Sequence, residues 1–203
     1  MKKILCSIPV LAMLLALAGC CANDTCNCED ELADALFFTF KIGGPNGFQA
    51  AQVDTLFIVR IPRPTAAVPR PVKDSILRVL PLGNGGTTLT QDSLISINNA
   101  SPFALSGGAT KLTAYDYEIN AYQTISANGT RTVRRQSFKI TNAQLAGQYD
   151  ANGCCTCYIN TGKQFDLSGR FYQGQTLVGT LPTRNEDVTA PIDSPIITAL
   201  TTP

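Results

Sequence analysis

Tyr115-Asp116-Tyr117-Glu118-Ile119-Asn120-Ala121-Tyr122 alternates residue by residue between an apolar set (Tyr115, Tyr117, Ile119, Ala121) and a mostly polar set (Asp116, Glu118, Asn120, Tyr122). A period of two puts the sets on opposite faces of an extended chain, so this stretch is a strand with one face on a core and the other toward water. Asn128-Gly129, a dipeptide suited to a tight hairpin turn, separates it from a second β-prone run, Arg131–Thr141. Together they predict a long antiparallel hairpin whose register is held by its apolar face.

The same grammar extends in both directions. Short β-branched and aromatic runs predict strands near Leu36–Ile42, Val53–Ile61, Ser75–Leu80, Ser93–Ile97, Lys111–Gln123, Arg131–Thr141, Cys155–Asn160, Gln164–Leu167 and Gln175–Leu181. Turn signals fall between them, at Gly43-Gly44-Pro45-Asn46-Gly47, Gly83-Asn84-Gly85-Gly86, Asn128-Gly129 and Asn152-Gly153. No segment of helix length carries a 3.6-residue apolar period. About nine short strands predict an all-β chain with a single antiparallel β-sandwich over residues 35–181, immunoglobulin-like or transthyretin-like in connection. The expected core is Phe38, Phe40, Phe57, Val59, Ile76, Leu80, Tyr117, Ile119, Phe138, Ile140, Ile159, Phe165 and Leu177. Pro-rich Ile61–Pro71 reads as a surface loop, and residues 182–203 as a flexible tail with an optional edge strand near Ile192 or Ile196-Ile197.

Composition narrows the chemistry. The 203 residues contain 8 Cys but no His and no Trp. Without His there is no Ser-His-Asp or Cys-His nucleophile system and no His-ligated metal. Arg60, Arg63 and Arg70, and Arg131, Arg134 and Arg135, are dispersed among acids and read as solvated strand faces, so no nucleic-acid partner is expected.

Lys2 and Lys3 precede an uncharged, largely apolar run from Ile4 to Ala18, shorter than the ~20 residues of a membrane-spanning helix. The run ends in Leu17-Ala18-Gly19-Cys20, which resembles the lipobox of bacterial lipoproteins. The resemblance implies a signal peptide over 1–19, cleavage before Cys20, and acylation of the Cys20 thiol and the new amino terminus. The partner is then the membrane itself, held through two or three acyl chains that anchor the protein effectively permanently. Loss of Lys2 and Lys3 turns the formal charge from +1 to about −1.

Six cysteines remain, Cys21, Cys26 and Cys28 near the start and Cys154, Cys155 and Cys157 far along the chain. An even number in an exported protein points to disulfides. Adjacent or once-removed cysteines rarely reach a relaxed geometry, so pairing is expected between the clusters, which leaves six of the 15 conceivable connectivities. The alternative is a thiolate metal or redox site, although a single residue between ligands is short for zinc. No cofactor is expected. A second alternative is a carboxylate hydrolase on Asp116 and Glu118, the one close acidic pair on a shared strand face.

Residues 20–34, with Asp24, Glu29, Asp30, Glu31 and Asp34, read as an acidic Cys-rich tether, similar to the surface-export signal of Bacteroidetes-type lipoproteins. Asp54-Thr55-Leu56, Asp74-Ser75-Ile76 and Asp92-Ser93-Leu94 resemble the Asp-(Ser/Thr)-aliphatic O-glycosylation motif of the same group, which implies Thr55, Ser75 and Ser93 as acceptors. The same tripeptides also suit strand starts, where Asp with Ser or Thr satisfies turn backbone. More broadly, the chain is similar to small lipoproteins of that group with no assigned activity. The expected function is a lipid-anchored, non-catalytic binding or structural module of the outer membrane. It would meet another envelope protein or an extracellular ligand, at the cell surface in preference to the periplasmic face.

Overall fold

The alternating stretch opens the first long strand of a computed structural model that describes residues 26, 28, 30–49, 52, 53, 55–64, 72–80, 94–99, 101–103, 111–127, 129–190 and 195–203. The strands are β1 Leu36–Phe40, β2 Thr55–Pro62, β3 Asp74–Val79, β4 Ile95–Ile97, β5 Tyr115–Ala127, β6 Thr130–Asn152, β7 Cys155–Gln173, β8 Thr176–Asp187 and β9 Ile197–Leu200. A single helical turn, α1 Asp30–Ala33, precedes them. Six strands form an antiparallel sheet in the order β3-β2-β5-β6-β7-β8, and three form a second sheet, β4-β1-β9. The chain is therefore all-β and sandwich-like.

The period of two decides which face is buried. Tyr117, Ile119 and Ala121 pair with Ile140, Phe138 and Gln136 of β6, and all six are buried. Across the sandwich, Phe38 of β1 meets Phe165 of β7 edge-on at 5.5 Å, and Phe40 meets Phe138 at 5.9 Å. These contacts place the positive edge of one ring on the negative face of the other, and they lock the small sheet onto the large one. The hairpins that join β5 through β8 each turn in two residues, with Gly129, Gly153 and Gly174 at positive φ, a conformation that matches the twist of the flanking strands.

Several expectations change. β6 and β7 are long, and β7 fuses the two separate runs expected at Cys155–Asn160 and Gln164–Leu167. Bulges between Thr141 and Gln144, and between Ala146 and Gly147, absorb the polar and glycine positions that read as strand ends. At the first bulge Asn142 takes φ +54°, and it donates with Asn185 to the two oxygens of Asp166, which holds that carboxyl below its usual range. Residues 182–203, expected as a tail, carry the end of β8 and then β9. β9 lies parallel to β1, with Leu200 fully buried.

Phe57 is exposed and Val59 is half-buried, because β2 turns Leu56, Ile58 and Arg60 inward instead, and Leu177 is exposed at the start of edge strand β8. Arg60, read as a solvated strand residue, is buried. Leu112–Ala114, expected as strand, is a 3-10 turn leading into β5.

Candidate functional site

Two regions stand out, and the first is the cysteine end. Cys155 and Cys157 are alternate residues of β7, so their side chains share a face, and Cys26-x-Cys28 presents the same period. Cys26 bonds Cys155 and Cys28 bonds Cys157, with Cα atoms 5.4 and 5.3 Å apart, inside the relaxed range for a disulfide. Both bridges span 129 residues, so the amino-terminal segment runs parallel to β7 without slipping. Cys154 is disulfide-bonded as well. The expected pairing between clusters is thus realised for four cysteines, while Cys20 and Cys21 lie outside the described residues.

The parallel course continues to Asp34. Asn160 donates to its Oδ1 at 3.0 Å, Asn99 to its Oδ2 at 3.3 Å, and the Tyr158 hydroxyl also donates to it. Burial, then the Asp34 charge, raises the Tyr158 pKa. One residue on, the ammonium of buried Lys163 donates to the Ala35 carbonyl at 2.8 Å; burial lowers its pKa, and the nearby Asp34 carboxylate opposes that shift. Asp34, read as the last acid of a solvated tether, is therefore a half-buried knot joining the amino-terminal segment, β7 and the Asn99 turn. Gly147 completes the packing, since a Cβ there would overlap the Tyr158 ring.

All of this sits on an arm. β5 pairs with β6 no further than Ile140, and β8 pairs with β7 no further than Gln164. From Leu145↔Lys163 to Asn152↔Cys155 the two strands form ladder pairs only with each other, and the bond from the Val188 N–H to the Lys163 carbonyl is the last backbone link to the β8 side. Eight residues at ~3.4 Å each make a ribbon roughly 27 Å long, and both described bridges close near its tip.

The second region is the outer face of the six-stranded sheet. Tyr122, Arg135 and Tyr172 lie in one cross-strand row, and Asn120, Ser137 and Arg170 in the next. Glu118, Lys139 and Ser168 form the third. All but Tyr122 line a polar groove of about 250 Å³. Arg135 stacks over Tyr172, with its guanidinium carbon 4.1 Å from the ring centroid. Among the described residues Arg135, Lys139 and Arg170 have no carboxylate within ion-pairing distance, although Glu118 stands directly opposite Lys139. On the β2 side the face becomes apolar, with exposed Phe57 edge-on to Tyr122 at 5.4 Å and Leu77 beside it.

The remaining sequence candidates are scattered. Ser75 is exposed on edge strand β3, Thr55 is half-buried at the start of β2, and Ser93 lies outside the described residues. Asp116 is held by Arg63 at 3.2 Å, so of the acidic pair only Glu118 reaches the groove. The groove residues of β6 and β7 escape sequence reading, because they converge only once the cross-strand register is known. No protein-family model, curated protein or solved structure matches the chain.

Proposed function

We propose that the chain is a bacterial envelope lipoprotein, anchored in the outer membrane through acylated Cys20 and acting as a non-catalytic binding or structural module. The observation that carries this reading is the pair of parallel disulfides that clamp the segment six residues beyond Cys20 to the tip of the arm. Such bridges persist in an oxidising, exported location and are rare in the cytosol. They also suit a protein whose amino terminus is its point of attachment, since pull on the tether is borne by covalent bonds rather than by sheet packing. Cys21, five residues before Cys26, is the cysteine of the first cluster left to pair with Cys154. The acidic stretch ahead of Asp34 favours display at the cell surface, and the exposure of Ser75 makes it the best placed of the three candidate glycan acceptors.

The test is metabolic labelling with a radioactive fatty acid in the native host. The wild-type protein is expected to take up label, to partition into detergent and to have a mass consistent with cleavage before Cys20. C20A is expected to remain unlabelled and uncleaved. An unlabelled, detergent-independent wild type would overturn the assignment.

A further inference from the structure

We infer that the groove on the outer face of the six-stranded sheet binds an acidic glycan chain. Its three cations, Arg135, Lys139 and Arg170, come from two adjacent strands, and none is neutralised by an ion pair among the described residues. Glu118 is the one carboxylate in the groove, which leaves a local excess of two positive charges on a chain whose formal charge after loss of Lys2 and Lys3 is about −1. An anion is therefore the complementary occupant, and the planar guanidinium forks of Arg135 and Arg170 suit carboxylate or sulfate oxygens.

The groove floor selects among anions. Between the cations lie Asn120, Ser137 and Ser168, with the Tyr172 ring at one side. Amides and hydroxyls both donate and accept, which matches the hydroxyl groups of a sugar ring. Neighbouring strands are ~4.8 Å apart, close to the length of one pyranose unit, so a chain crossing the strands would meet a side chain of the next strand with each ring. An acidic peptide is disfavoured by the backbone. β5, β6 and β7 are each paired on both sides here, so no sheet edge is open to satisfy a peptide's N–H and C=O groups.

The test is titration calorimetry of the full lipidated chain in detergent micelles, using hexagalacturonate, a neutral cellohexaose and hexaglutamate. Hexagalacturonate is expected to bind one to one, and to weaken as salt is raised from about 0.05 to 0.5 M. The R135Q/R170Q pair is expected to lose at least about tenfold in affinity, the scale of one charged hydrogen bond. R170Q alone changes an exposed side chain, so it keeps the reading falsifiable if the double variant misfolds, and R184A, outside the groove, should bind as wild type. Cellohexaose should not bind, and hexaglutamate should bind at least about tenfold more weakly. No binding of hexagalacturonate, equal binding of hexaglutamate, or unchanged affinity in R170Q and R135Q/R170Q would overturn the inference. Fatty-acid labelling is read separately, so failure here leaves the anchoring proposal untouched.

Discussion

Arg60 is a case where one side chain defeats the reading of its neighbourhood. In sequence it belongs with Arg63 and Arg70 in a Pro-rich, apparently solvated stretch. In the fold the alternation of β2 turns it inward, between the rings of Phe103 and Tyr115 at 4.7 Å each, with Asp74 at 2.7 Å. Its stem fills core volume while its charge is met by two π faces and a carboxylate that remains half in water. R60A is expected to lower the unfolding free energy of the oxidised protein by about 2–3 kcal/mol in urea. That is somewhat less than the cost of breaking a fully buried ion pair, because Asp74 can rehydrate. R60K should recover only part of it, since an ammonium lacks the planar guanidinium that stacks on the rings. A loss under about 0.5 kcal/mol, ordinary for a surface substitution, would mean that the rings contribute nothing.

The long strands were half legible at the scale of the element. The β5 alternation and the Asn-Gly turns could be read directly, because both are local. The lengths of β6 and β7 could not, because Asn142, Gly147 and Gly162 look like breaks until cross-strand pairing shows that bulges accommodate two of them. The staple was legible in type, since adjacent or once-removed cysteines rarely pair with each other, but which of the six connectivities forms, and with it the parallel register, was not. That register has an energetic consequence. Any one bridge closing a loop of 129 residues would contribute about 5 kcal/mol in the chain-entropy model. Once one is closed, the next closes a ring of only a few residues and adds about 2 kcal/mol. Removing Cys26–Cys155 or Cys28–Cys157 alone, as Ser pairs, is therefore expected to cost about 2 kcal/mol each. Complete reduction, which also opens the bridge at Cys154, should cost well beyond the sum of the two. Urea titrations of the two Ser-pair variants and of the fully reduced wild type check this, and simple additivity would show that the bridges act as independent cross-links.

For the whole molecule, the all-β class followed from patterning, whereas the division into two sheets did not. β1 and β9 pair in parallel across most of the chain, Phe37 with Ile197 and Phe40 with Leu200, and no local sequence signal foretells a contact of that separation. The result has polarity. The arm tip carries the bridges, while the hairpin turns at Gly129 and Gly174 and the Arg135 row of the groove lie toward the opposite end of the same strands. With Cys20 as the anchor, six residues of tether allow at most ~20 Å of slack between the bilayer and Cys26. The arm then holds the bulk of the sandwich beyond the bridges, on the side away from the anchor. The lipidated protein on a supported bilayer is accordingly expected to give a two-tier density profile in neutron reflectometry, with a thin layer against the headgroups and the bulk of the protein farther out. Reduction should blur the boundary, because the amino-terminal segment is then free to leave the arm. A dense layer lying directly on the headgroups in the oxidised protein would show that the arm does not set the stand-off.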